Sequence, residues 1–321
     1  MCVIFFYANS NPSSDGYKLI LASNRDEFFA RETRSVAKWA NADHVYGGID
    51  LEPGREGGTW LAIGGKNGIF KVGALLNLTG EPKPRDAVAH NNILQTHNNS
   101  LHMSSNNSQI NNKHTSMSTK TNNEHLLLGR GMIVADYVTS SDESHNIVNY
   151  NKGLIADCTK YSAFNFVSIE IGNASQPAAI KLLSNVPPTL ADYEQERCYG
   201  FGNSLPEAPF EKVRHGQKHF AQIVEDHGHA DVKTLSDQLL QLLKNSNKFW
   251  PDAELLKRAP NWGEGLSALN VHIAEHAYGS RTHTVLLLDA NNKLHFIEET
   301  MAGLDPAGEW RRTHIEKQYT L

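Results

Sequence analysis

Cysteine is scarce in this chain. Cys2, Cys158 and Cys198 are the only three among 321 residues, too few and odd in number for a disulfide framework, so a reducing compartment is expected. No run approaches the roughly 18 apolar residues that cross a bilayer, which leaves peripheral contact as the expected route to a membrane. Neither charge sign dominates: 30 Lys and Arg stand against 35 Asp and Glu, net −5, with the signs interspersed. A basic face for nucleic acid is therefore not expected. No GxGxxG or phosphate loop occurs between a strand and a helix. The first apolar run is short, follows no basic residue, and gives way to Asn9, Asn11, Asp15 and Lys18. That is neither a secretory signal nor an Arg-rich transit peptide, so the expected location is cytoplasmic.

What is present reads as hairpins, then helices, then hairpins. Cys2–Tyr7 and Tyr17–Ser23 form the first expected strand pair. Thr59–Ile63 and Ile69–Asn77 form the second, joined at Asn67-Gly68, where both residues tolerate positive φ. Helices are expected over Gly131–Val138, after Ser141, over Phe210–Val224 and from Asp231 through Leu243. Strands are expected over Phe164–Ile171, Ala179–Leu183, Leu269–Ala274, Thr282–Leu288, Leu294–Glu298 and Trp310–Tyr319. Consecutive hairpins argue for antiparallel sheets covered by helices, an α+β class. From Ala89 to Glu124, paired asparagines punctuate Ser, Thr, His and Gln. Such a tract has too little apolar surface to offset its ordering entropy and is expected to be a disordered loop insertion. Its histidines, His90, His97, His102 and His114, with His125 just beyond, show no regular ligand spacing, so no metal site is expected there.

Cys2 is the first candidate for chemistry. Initiator Met is usually removed before a small residue, and the thiol would then carry its own α-amine. An α-amine titrates near ~7.7–8.0 and a thiol near ~8.5, so proton transfer between them costs little. Simple burial of a small hydrophobe fits the same position. Ser23-Asn24-Arg25-Asp26-Glu27 follows the second strand, and polar groups there are costly to bury unless paired. An antiparallel partner brings them beside Cys2, where Asp26 can hold the α-ammonium while Arg25 or Asn24 orients the carboxylate. A surface ion pair at a strand end is the plainer alternative. Asn77 ends an apolar strand, Asn203 lies in Gly200-Phe201-Gly202-Asn203-Ser204, and Arg281 opens another apolar strand. Amides can stabilise an oxyanion, and arginine can neutralise an anion.

Met1-Cys2-Val3-Ile4-Phe5-Phe6, Leu21-Ala22-Ser23-Asn24-Arg25-Asp26-Glu27-Phe28 and Glu56-Gly57-Gly58-Thr59-Trp60-Leu61 are the marks of the NRDE family, and the chain resembles it. The likeness continues through Gly129-Arg130-Gly131, Phe164-Asn165, Gly202-Asn203-Ser204-Leu205 and Arg281-Thr282-His283-Thr284. It spans nearly the whole chain, which implies a single domain over 1–321 interrupted by 89–124. The resemblance implies an αββα four-layer sandwich of the N-terminal nucleophile hydrolase type. It also implies Cys2 as nucleophile, Asp26 as its carboxylate partner, and Asn203 and Arg281 as the oxyanion amide and distal arginine of related amidases. In one respect the chain departs: those amidases place an arginine directly before Asn-x-Asp, and here that position is Ser23.

Two functions follow. The family association implies Golgi organisation, protein secretion, and mobilisation of haem, lipid or acyl-CoA, with Golgi and mitochondrial association. The cleft would then carry a small-molecule ligand, with Asn24, Arg25 and Asn77 in its walls; haem is a candidate cargo, although no axial-ligand motif is evident. No resident cofactor is expected. The alternative is an amidase or thioesterase acting through Cys2. The carrier is the favoured expectation, because the thiolate lacks its usual arginine.

Overall fold

The computed structural model describes residues 1–80, 128–140 and 146–321. The expected loop insertion, 89–124, lies outside the described residues. The first sheet contains β1 (Val3–Ala8), β2 (Tyr17–Phe28), β10 (Cys198–Phe201), β11 (His272–Ile273), β12 (Tyr278–Asp289), β13 (Lys293–Met301) and β14 (Trp310–Gln318). Its order is β10-β1-β2-β12-β13-β14, and the two-residue β11 pairs with the start of β12. The second sheet runs in simple succession: β3 (Thr33–Trp39), β4 (Ala42–Asp50), β5 (Leu61–Lys66), β6 (Ile69–Asn77), β7 (Phe164–Ile171), β8 (Ala179–Asn185) and β9 (Pro188–Tyr193). Neighbouring strands in both sheets are antiparallel.

Alternation along the strands builds the layers. Ile4, Phe6, Leu19 and Leu21 face the second sheet and share one core with Ile63, Val72, Ala74 and Val167. Val3, Phe5, Ile20 and Ala22 face outward, beneath α3 (Glu211–His227) and α4 (Val232–Leu243), and pack with Phe220, Leu235 and Leu239. The outer face of the second sheet presents Ala62, Leu75, Phe164 and Phe166 to α1 (Gly131–Thr139) and α2 (Ile147–Ala156). The result is an αββα four-layer sandwich. A short α5 (Ala253–Arg258) adds Leu255 to the outer core.

Local chemistry explains several boundaries. Asp231 caps α4 by accepting from Thr234 N at 3.0 Å. Asn67 and Gly68 turn β5 into β6 with φ of 54° and 76°, the pair of positive values a tight hairpin needs. Gly216 lets α3 approach β1, since a Cβ there would lie 2.3 Å from the Phe5 ring.

Three expectations need correction. The second strand does not stop at Ser23 but continues to Phe28. Leu269–Ala274 is irregular apart from His272–Ile273, because Val271 N and Ser280 N turn to hydrogen bonds across the bend. Strands β3, β4, β9 and β10 went unanticipated: β3 carries charge and β4 two glycines, β10 has only four residues, and β3, β9 and β10 are sheet edges. Among the described residues no helix is long and apolar enough to cross a membrane.

Candidate functional site

β2 lies between β1 and β12, and their registers assemble the site. Val3 pairs with Asn24, so continuing the ladder sets Cys2 opposite Arg25 and Met1 opposite Asp26. On the other side Asp26 pairs with Ser280, and a bulge then displaces Arg281 from the ladder. Asp26 is fully buried and collects partners from three elements. Its Oδ2 meets the Met1 α-ammonium at 2.9 Å as an ion pair rather than an aligned hydrogen bond. Ser280 Oγ donates to Oδ1 at 2.5 Å, and Lys212 Nζ, from α3, lies 3.9 Å from Oδ2. The ammonium also donates to Tyr278 Oη at 2.6 Å, and that hydroxyl donates to the Asp26 carbonyl at 3.3 Å. Lys212 anchors itself on the carbonyls of Met1 and Ala268, each at 3.1 Å.

Burial sets the protonation tendencies. It lowers the pKa of the α-ammonium and of Lys212, while Asp26 pulls both back up. It raises the Cys2 thiol, against the opposing pull of the α-ammonium. The thiol therefore favours its protonated form in this arrangement; its Sγ lies 3.9 Å from the Asp26 carbonyl.

Cys2 opens into a cleft of about 290 Å³ at the ends of interior strands of the two sheets. Arg25, Asp26, Glu27 and Arg31 line the β2 side. Thr59, Trp60, Leu75 and Asn77 line the other, with Arg130 to Met132 at the mouth of α1. The Arg25 guanidinium stacks over the Trp60 ring at 4.4 Å. Its nearest acid, Glu27, is 3.9 Å away, and its Nη1 is buried without a hydrogen-bond partner among the described residues. Arg31 takes up Asp50 at 2.6 Å and Glu27 at 3.1 Å.

Of the residues singled out from the sequence, Cys2, Arg25, Asp26 and Asn77 line this cleft, whereas Asn24, Asn203 and Arg281 do not. Asn24 points to the helix side. Its Nδ2 donates to the carbonyls of Leu243 and Leu269 at 2.8 and 2.9 Å, and its Oδ1 meets His283 Nδ1 at 2.7 Å. Asn203 donates one N–H to the Asn77 carbonyl, and its Oδ1 is buried without a hydrogen-bond partner among the described residues. The neighbouring Gly202 runs close to Cys2: a Cβ there would sit 3.7 Å from the Cys2 carbonyl oxygen. Arg281 donates Nη1 to the Arg31 carbonyl and braces the cleft from behind. Sequence reasoning missed Lys212, Tyr278 and Ser280. Only Lys212 left a trace, as a lysine beside Val213 on the apolar side of α3.

The profile of the family described as Transport and Golgi organisation 2 matches residues 1–303. The chain belongs to that family. It is 67% identical over 319 residues to Transport and Golgi organization protein 2 of Drosophila melanogaster, covering 99% of both chains. It is 30% identical to the Bos taurus Transport and Golgi organization protein 2 homolog, covering 98% of both. Among solved structures it shows a distant likeness to Anbu from Hyphomicrobium sp. strain MC1. The TM-score there is 0.36 at 6% identity, over 97% of this chain and 87% of the other.

Proposed function

We propose that this protein serves Golgi organisation and secretion as a cytoplasmic carrier, and that its Cys2 cleft holds an amphipathic anion such as haem or an acyl-CoA. The observation that carries the reading is Arg25, which lines the cleft and whose buried Nη1 has no hydrogen-bond partner among the described residues. A buried donor without a partner costs about 1–3 kcal/mol, and a ligand carboxylate or phosphate offsets that cost. Trp60, Leu75 and Met132 supply an apolar wall for the ligand body. Peripheral association with Golgi and mitochondrial membranes fits a protein that collects such ligands there. Titration of Trp fluorescence with haemin and with palmitoyl-CoA tests this. Arg25→Ala is expected to weaken binding by about 10–100-fold, the equivalent of one charge-assisted hydrogen bond. Equal affinity in wild type and variant sinks the reading.

A second reading is favoured by one specific observation, the buried Asp26 with its α-ammonium, Ser280 and Lys212 partners. Removal of Met1 would give the α-amine to Cys2, whose thiol could then attack an amide or thioester carbonyl while that amine accepts the thiol proton; the C–N or C–S bond of the substrate breaks, the departing amine or thiol takes that proton, and water hydrolyses the acyl-Cys2 thioester. Intact-mass measurement after incubation with an acyl thioester separates the readings: a covalent acyl adduct that Cys2→Ala lacks supports the hydrolase, and its absence supports the carrier.

A further inference from the structure

His295 of β13 lies directly opposite Glu316 of β14, and His314 opposes Ile297 on the same face. Three atoms converge there. His295 Nδ1 is 3.2 Å from His314 Nε2 and 3.5 Å from Glu316 Oε1, and His314 Nε2 is 3.9 Å from the same Oε1. Ligands about 2.0–2.2 Å from a tetrahedral zinc ion stand roughly 3.3–3.6 Å apart. The triangle therefore has close to the dimensions of one face of such a site. We propose that His295, His314 and Glu316 form a binding site for a zinc-like divalent cation, with a fourth position open to solvent.

Protons satisfy this triangle less well than a cation does. Each neutral imidazole carries a single N–H. If one ring donates to the other, neither imidazole donates to Oε1, which is left to solvent. If both N–H groups point inward, they oppose each other. A cation accepts all three lone pairs at once. The surroundings suit it: His295 is buried. His314 and Glu316 are exposed and accessible. Lys293 Nζ holds the other carboxylate oxygen at 2.7 Å, orienting Oε1 toward the rings as outer partners of metal ligands do. The cluster is separate from the Cys2 cleft. Leu287 is the β12 partner of His295, and seven residues separate it from Ser280 beside Asp26, roughly 24 Å of strand at ~3.4 Å per residue.

The test uses the full chain with Zn²⁺ or Co²⁺ alone as the probe. Binding to the folded state raises the thermal midpoint, and Co²⁺ reports its ligands through its visible absorption. Wild type is expected to show a Zn²⁺-dependent rise in Tm and a tetrahedral Co²⁺ band. His314→Ala is expected to lose both while keeping the metal-free Tm, because its side chain is exposed. Glu316→Gln, which keeps the shape and removes the charge, should weaken binding at least tenfold. Both variants retain every histidine of the Asn-rich tract, so binding there cannot mimic the result. An undiminished response in the two variants, or no Zn²⁺ response in wild type at micromolar metal, overturns the proposal.

Discussion

The α-ammonium of Met1 lies 2.9 Å from Asp26 Oδ2, and both groups are closed off from solvent. Lys212 Nζ stands 3.9 Å from the same oxygen, so one carboxylate balances two buried amines. Removing one partner of a buried ion pair typically costs about 3–5 kcal/mol. Asp26→Asn is expected to lower the urea midpoint by a corresponding amount with an unchanged slope. A midpoint equal to wild type would show that the amines need no counter-charge.

Cys2 and Arg25 share the cleft but separate in their expected effects. On the carrier reading, Cys2→Ala alters ligand affinity by less than about threefold, because a protonated thiol contributes at most a weak hydrogen bond. The same variant should restore secretion in cells lacking the protein, and Arg25→Ala should not. Failure of Cys2→Ala to rescue, with its ligand affinity intact, transfers the role to the thiol.

Gly216 sits where α3 presses on Phe5. Alanine there gains ~1 kcal/mol of helix propensity. Its Cβ would stand 2.3 Å from the Phe5 ring, which is itself buried and stacked on Phe220 at 6.0 Å. Overpacking of that kind costs about 1–3 kcal/mol, so the steric cost is expected to win. Gly216→Ala should lower the thermal midpoint; a rise would mean that α3 shifts away from β1 freely.

His283 is buried between Asn24 and the Trp310 ring, which stacks on it at 4.8 Å. Burial first, and then Lys244, lower its pKa to about 4, against the opposing pull of Glu299 and Asp26. The unfolded value is about 6.5, so the unfolded chain takes the proton first. Stability is thus full above about 6.5 and falls as pH drops toward about 4, by on the order of 3 kcal/mol. Denaturation at pH 7 and pH 4.5 should show a larger acid loss in wild type than in His283→Gln. Equal losses would place the titration elsewhere.

Some of this architecture is written in short-range pattern. The Val, Ile and Phe of β1, the β7 strand at Phe164–Ile171, the Asn67-Gly68 turn and the Asp231 cap each rest on residues a few positions apart. Side-chain period and turn conformation operate over that range. The family motifs also drew attention to Cys2, Arg25 and Asp26. Polar strands were harder to read: hydrogen-bonded neighbours supply what the charged sequence of β3 and the glycine-containing sequence of β4 do not advertise.

Tertiary structure decided which group meets which. Strand parity separates Asn24 from Arg25, and only the stacking of layers makes Asn24 face the helix side and Arg25 the cleft. The β1–β2 register, not proximity in the chain, sets Asp26 against Met1 and Arg25 against Cys2. Lys212 reaches Asp26 across 186 positions, as the numbering shows, and His295 reaches His314 across a hairpin. Local sequence determines the period and the turns because these depend on a few consecutive dihedrals. Encounters between distant side chains depend on how whole sheets and helices pack, and so only the assembled core could settle them.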